Sequence, residues 1–319
     1  MSHFRMRNGT PPAAPRENLQ RGAALVLAML VAALAATVAV ALAAEQQRWL
    51  ADVSNRRDQV QAQSLALAGV QWARQILADD ARSSTVDFLG EPWSYPLPPT
   101  PIASGSIEGR IEDAQGRLNL NNAALDGKAG DAERARLGRI FASKGADSRI
   151  LDALADWIDE DGFARPGGAE DAWYAGQVPG ALAANAPLAR TAEIASIRGA
   201  RPQTWAALAP LVSALPAGTP VNVNTASPDV LSAIVPELSG EKLAAFIAER
   251  ARKPFTTMAE LRERLPQGVT LPEGTNLAFA SKYFLVTVRS RQGESLAQAR
   301  ALLNRDGRAW PTVVWQTLE

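Results

Sequence analysis

Residues 23–44 read AALVLAMLVAALAATVAVALAA, with no charge and Thr37 as the one polar side chain. As a helix, a stretch of this length covers roughly 33 Å, about one bilayer hydrocarbon core. Arg5, Arg7, Arg16 and Arg21 precede it against a single Glu17. The positive-inside rule therefore keeps residues 1–22 cytoplasmic and sends the body across the membrane, which in a bacterium means the periplasm. A cleaved secretory signal ending near Ala41-Leu42-Ala43 is the competing reading. Its apolar region would be long, since such regions run to about 7–15 residues.

The residues after the apolar stretch favour an anchor. Trp49, Val53, Val60, Leu67, Val70 and Leu77 recur as one seam of a continuing helix, with Gln and Arg on its other faces. Residues 23–44 and 45–83 then form one helix, the first part in lipid and the second outside it. The whole chain is formally neutral. The basic leader carries a net +3, which leaves the body at −3 and argues against a protein built to neutralise nucleic-acid phosphates. Apolar residues make up 47% of the chain, ample for a core. There is no cysteine, and the one histidine is His3. Disulfides, thiolate chemistry and histidine-based triads or zinc sites are excluded from the body. An enzyme would have to work with carboxylates or a serine–lysine pair, and no motif for either stands out.

Gln20-Arg21-Gly22 followed by Ala23-Ala24-Leu25-Val26-Leu27 resembles a type III (prepilin) leader junction, where prepilin peptidase cuts after the glycine, between Gly22 and Ala23. Most pilins carry Glu at the fifth mature position, a carboxylate able to neutralise a neighbour's terminal ammonium inside the bilayer. Here that position is Leu27. The pattern resembles the one pseudopilin type that lacks the glutamate, the K-type minor pseudopilin of the type II secretion system (general secretion pathway protein K).

Residues 84–122 combine a proline-rich stretch, Pro96 to Pro101, that favours an extended linker with two strands, Ser106–Ile111 and Arg117–Leu120, around Gln115-Gly116. The run LGEPW…PLPP…GRIEDAQGRLNLNN also resembles K-type pseudopilins. From 123 to 280 the pattern is helical, with segments at Glu133–Ser143, Ser148–Ile158, Ala192–Ile197, Pro202–Ala214, Pro228–Ile234, Gly240–Ala251 and Thr257–Leu265. Strands return over 281–319 at Tyr283–Arg291, Ser295–Asn304 and Thr312–Thr317, with turns at Gln292-Gly293 and Asp306-Gly307. Strands, helices, then strands imply an α+β fold: a pilin-like long N-terminal helix, an antiparallel sheet and a large all-α inserted domain. Within the insert, Ile150 to Ile158 followed by Leu188 to Ile194 parallels Lys242 to Ala248 followed by Pro254 to Leu261, suggesting a duplication of 123–215 and 221–270. The resemblance implies two SAM-like or helix-hairpin-helix-like bundles.

Asp156, Asp159, Glu160, Asp161, Glu170 and Asp171 place six carboxylates within 16 residues, around a loop bearing glycine and proline. Oxygen ligands on such a loop suit Ca²⁺, which takes 6–8 of them. The spacing is not a full EF-hand, because no third loop carboxylate follows Asp159 and Asp161 at the fifth loop position, which is Phe163. Helix capping and a solvated surface account equally well for the residues alone. The stretch D-W-I-D-x-D…G-A-E-D resembles the calcium-binding segment of K-type pseudopilins, which implies Asp159, Asp161, Glu170 and Asp171 as ligands, with Asp156 beside them. Trp157, Trp173 and Tyr174 read as core.

Val221-Asn222-Val223-Asn224-Thr225-Ala226 looks like the helix-hairpin-helix of membrane-anchored DNA-uptake receptors, which bind phosphate through a Gly-x-Gly hairpin. The hairpin here, 235–242, has only Gly240, with Glu237 and Glu241 where an anion would approach. Asn222 and Asn224 therefore read as turn and capping residues, with no nucleic-acid partner expected.

The resemblance implies a single-pass protein of the bacterial inner membrane at the tip of the pseudopilus. Its partners would be the I- and J-type minor pseudopilins, other pseudopilins, the inner-membrane secretion platform and prepilin peptidase. A membrane-anchored DNA receptor and an anchored carboxylate enzyme are the alternatives.

Overall fold

The computed structural model describes residues 17–147, 149–307 and 309–319. The leader positions His3, Arg5, Arg7 and Arg16 lie outside the described residues. Elements are numbered in chain order. The first is a long helix, α1 (Glu17–Ser83). Between Ala23 and Ala68 it contains neither proline nor glycine, the two residues that most disfavour a helix interior. The chain divides into two units near Asp58. In the first, the apolar side chains from Leu25 to Leu42 are exposed on every side of α1, the distribution suited to lipid rather than water.

The second unit contains the rest of α1, then β1 (Leu97–Ile102), β2 (Gly105–Asp113), β3 (Leu118–Asn119), α2 (Gly127–Ser143), α3 (Arg149–Ile158), α4 (Asp171–Ala175), α5 (Pro202–Leu208) and β4 (Val212–Ser213). It continues with β5 (Val221–Asn222), α6 (Pro228–Ile234), α7 (Gly240–Arg252), α8 (Met258–Glu263), β6 (Leu277–Ala278), β7 (Tyr283–Gln292), β8 (Ser295–Asn304) and β9 (Thr312–Leu318). One antiparallel sheet runs in the order β1-β2-β7-β8-β9. Its central pair, β2 and β7, meets across the entire helical insert.

The sheet packs on the last part of α1 through small residues. Ala62, Ala66, Val70, Ala73 and Leu77 bury against Phe284, Val286 and Val288 of β7 and Ala297, Ala299, Ala301 and Leu303 of β8. The seam that the large apolar residues outline joins this stripe at Leu67, Val70 and Leu77, whereas its earlier members Trp49, Val53 and Val60 are exposed. Close helix–sheet approach selects Ala and Gly, and hydropathy alone points to the larger side chains instead. At Gly69 a Cβ would stand 2.6 Å from Val288 Cγ1, so no larger residue fits without a shift.

Two expected elements take different partners. Pro96 to Pro101 does not remain a linker, since Leu97–Ile102 forms edge strand β1 beside β2. Prolines are tolerated there because an edge strand has one side that needs no N–H donors. The second strand around Gln115-Gly116 does not return along β2. Ala114–Gly116 forms a single 3₁₀ turn, and β3 pairs in parallel with β4 instead. The helix expected over Pro202–Ala214 ends at Leu208, and the segment near Ala192 is a 3₁₀ helix, Thr191–Ser196.

The helical insert has its own core, from Leu118 to Val269. Its two halves share a local design. Asn121 accepts from Leu188 N–H at 2.8 Å and donates to the Leu188 carbonyl at 3.0 Å. Asn224 does the same to Phe255, at 2.9 Å each way. In each half the clamped residue precedes a short helix, and the two-residue strand just before the asparagine pairs in parallel with a later one, β3 with β4 and β5 with β6. Asn222 and Asn224 keep the expected turn role, Asn222 Oδ1 accepting from Asn224 N–H at 3.0 Å, and as buried residues they also fasten the insert.

The Gly69 contact yields a test. Gly69→Ala gains about 1 kcal/mol of helix propensity, yet forces an overpacked contact that costs about 1–3 kcal/mol. The double variant G69A/V288A is expected to be more stable than the two single effects summed, as read from denaturant unfolding of the four proteins in the cycle. Additivity within about 0.5 kcal/mol would refute close packing at this position.

Candidate functional site

The acidic loop grows out of the C-terminal end of α3. That helix presents Ile150, Leu151, Leu154 and Ile158 to the core and brings Asp156 to the interior, fully buried. A buried carboxylate needs donors, and the loop after the helix folds back to supply them. Arg165 donates its backbone N–H to Asp156 Oδ2 at 3.0 Å and its Nη1 to Oδ1 at 2.6 Å. Gly167 N–H donates to Asp152 Oδ2 at 3.0 Å. Gly168 passes so close that a Cβ there would lie 1.8 Å from Asp156 Oδ2. The glycine is a requirement of this approach.

That fold-back gathers Asp159, Asp161 and Glu170, with one carboxylate oxygen from each within 4.8 Å of the others. Arg165 Nη1 also reaches Asp159 Oδ2 at 2.5 Å, and among the described residues it is the one cation paired to this group. Asp159 Oδ1 and Glu170 Oε1 are buried with no donor among the described residues. Burial, and then the neighbouring charges of Asp156, Asp159, Asp161 and Asp171, push the Glu170 carboxyl up to about 7. Three converging carboxylates with two unpaired buried oxygens and only oxygen donors fit a hard divalent cation such as Ca²⁺.

The five residues expected to act as ligands thus divide. Asp159, Asp161 and Glu170 come together. Asp156 is consumed by Arg165 and secures the loop. Asp171, in the first turn of α4, accepts from Ala183 N–H at 2.8 Å and ties down the next loop. Trp157 and Tyr174 are buried, their rings edge-to-face at 4.9 Å.

A second carboxylate group escapes a reading of the sequence, because the cation that completes it lies 225 residues from Asp80. Asp80, Asp87 and Glu91 are buried together. Arg305 fills this site with its own charge, bonding Asp80 Oδ2 at 2.7 Å and Asp87 Oδ1 at 2.5 Å. Glu91 Oε2 accepts from Trp93 Nε1 at 2.8 Å. Beside it, Asp113 Oδ2 accepts from Ser281 Oγ at 2.6 Å, Thr225 Oγ1 at 2.6 Å and Asn222 Nδ2 at 3.0 Å. Protein donors saturate this cluster, which makes it a structural junction. The hairpin between α6 and α7 likewise serves packing, with Ile234, Leu238 and Phe246 buried in the insert core. The Gly22–Ala23 bond lies within α1, and Leu27 is exposed on it.

A long N-terminal helix that packs small residues onto an antiparallel sheet, with a helical insert between neighbouring strands, defines a pilin-like subunit. Family models described as type II secretion system protein K match residues 116–217 and 221–280. The type II secretion system protein K of Pseudomonas aeruginosa is 32% identical over 279 residues, spanning 84% of this chain and 83% of its own. That of Klebsiella pneumoniae is 30% identical over 313 residues, 92% of this chain and 95% of its own. The chain belongs to the type II secretion system protein K family. The crystal structure of the GspK-GspI-GspJ complex from the enterotoxigenic Escherichia coli type 2 secretion system contains a chain of the same fold, with TM-score 0.72 and 24% identity over 83% of this chain and 98% of that one.

The buried junction carries a pH signature. Burial, and then the charge of Glu91, push the Asp80 carboxyl up from 3.8 to about 6. Between those values the folded protein holds a proton that the unfolded chain releases, so the contribution of Asp80 to stability is present at acid pH and lost as pH rises through 6. Replacing Asp80 by Asn is expected to make the change in melting temperature between pH 4 and 6 more positive with rising pH than in the parent. Identical pH profiles for parent and variant would refute it.

Proposed function

We propose that this chain is the tip subunit of the type II secretion pseudopilus. It starts assembly in the inner membrane with I- and J-type minor pseudopilins and so supports export of folded proteins across the outer membrane. The observation that carries the reading is Leu27. Five residues after the Gly22–Ala23 junction, in a member of the protein K family, it offers no carboxylate to pair with a subunit above it. A subunit without that pair fits the end of a filament, where nothing is stacked beyond it. The insert between β2 and β7 adds bulk that would block further stacking. Support for the partners comes from the fold relative, which was crystallised with GspI and GspJ.

On this reading prepilin peptidase cleaves between Gly22 and Ala23, and the stretch beginning at Ala23 anchors the chain once in the inner membrane. The basic leader faces the cytoplasm and the sheet and insert face the periplasm. The secretion platform and the other pseudopilins meet the chain through this anchor. The role needs no catalysis. Ca²⁺ at Asp159, Asp161 and Glu170 fixes the loop from Asp156 to Tyr174 and stabilises the insert by binding only the folded state.

Two measurements test this. Mass spectrometry of the protein from an assembling strain should find a mature chain starting at Ala23; a start at Met1 or after Ala43 would overturn pilin processing. Adding Ca²⁺ at 100 times its Kd should raise the stability of the protein by about 2.7 kcal/mol. Asp159→Asn and Glu170→Gln should each abolish most of that gain. An equal gain in the variants would place calcium elsewhere.

A further inference from the structure

The two edges of the five-stranded sheet are built differently. β1 carries Pro98, Pro99 and Pro101, which cannot donate to an added strand. β9 reads Thr-Val-Val-Trp-Gln-Thr-Leu, with no proline and no charge, and among the described residues nothing pairs with its outer side. Exposed, uncharged edges of this length are what soluble proteins otherwise protect.

Hydrogen bonding defines what the edge offers. Gln298 N–H donates to the Glu319 carbonyl at 2.7 Å, and Glu319 N–H returns to the Gln298 carbonyl at 2.9 Å. In an antiparallel pair such exchanges alternate, which makes Arg300 with Thr317 and Leu302 with Trp315 the next bonded pairs in this register. The N–H and C=O of Gln316 and Leu318 therefore point away from the sheet. On one face of β9 the side chains of Val313 and Leu318 are partly exposed. On the other, Trp315 and Thr317 line a cavity of about 180 Å³ shared with Arg117, Arg190, Arg300 and Glu319. Arg117 pairs with Glu112, whereas Arg190 and Arg300 are exposed and no ion pair holds either among the described residues.

We propose that β9 is a docking edge, where an extended segment of a partner protein adds as a sixth strand. Alternation of side chains across a strand sets the chemistry of that segment. Acidic residues would face Arg190 and Arg300, and branched apolar residues would face Val313 and Leu318. A second copy of this chain is a poor occupant, because pairing two β9 edges would bring like-charged arginines together. Main-chain bonds would supply affinity and the two faces selectivity, as in other strand additions.

Hydrogen exchange of the full chain in detergent, with millimolar Val-Asp-Val-Asp-Val-Asp-Val peptide, tests the proposal. Amides of Gln316 and Leu318 should exchange about tenfold more slowly with this peptide, consistent with pairing of open backbone groups. A peptide with Lys in place of Asp should protect less, and one with a central Pro should not protect. Gln316→Pro removes an outward N–H without touching the β8 ladder and should abolish protection. Arg300→Glu, a surface change that keeps the strand, should reverse the preference from the Asp to the Lys peptide. Absence of protection by the Asp peptide, an unchanged preference in R300E, or protection that appears without peptide as the chain is concentrated would overturn it.

Discussion

The carboxylate of Asp113 is where the separate parts of the second unit are joined. It sits at the end of β2, the point where the chain leaves the sheet, and binds Ser281, which lies 168 residues later where the chain returns. It also binds Thr225 and Asn222 of the insert. Ser281 N–H in turn donates to Asp87 at 2.6 Å, and Asp87 is held by Arg305. Burial raises the Asp113 pKa, and hydrogen bonds from Ser281, Thr225 and the Gln115 N–H oppose that shift. A buried network of this kind is strong only while every member is satisfied. Loss of one donor leaves a charge without compensation, which costs more than an ordinary hydrogen bond contributes. The sheet, the insert and the segment after α1 are positioned by the same few atoms.

The alternation of β7, the turns at Gly293 and Gly307, and the capped start of α6 at Ser227 and Pro228 are all legible in the sequence because each rests on local chemistry. The apolar stretch of α1 over residues 23–44 is legible for the same reason: composition alone picks it out. The stripe of α1 that faces the sheet is legible only at Val70 and Leu77, since alanine and glycine carry almost no hydropathy signal and matter here for what they leave out. The β3–β4 and β5–β6 pairings are two residues long and join distant segments, so no periodicity announces them.

The acidic loop shows the same limit inside one short stretch. Composition brings six carboxylates to attention, but it does not say which face one another. Direction is set by Arg165, which takes Asp156 and one oxygen of Asp159 and leaves Asp161 and Glu170 turned to the remaining space. A single arginine thereby separates the residues that hold the loop from those able to hold an ion. The Asp80, Asp87 and Glu91 group makes the converse point, since Arg305 completes it from a position no spacing rule would have linked to it.

The placement of the insert between β2 and β7 has a consequence for how the chain reaches its structure. The β7–β8 hairpin closes a short loop and can form at once, and β9 comes next along the chain. Pairing of β2 with β7 must wait for ends that lie far apart in sequence, and the entropy of closing such a loop opposes it. A folded insert removes most of that obstacle, because its own β5 and β6 pair brings Asn222 and Ala278 together beside Asp113. The insert would thus act as the clamp on which the sheet is completed during folding.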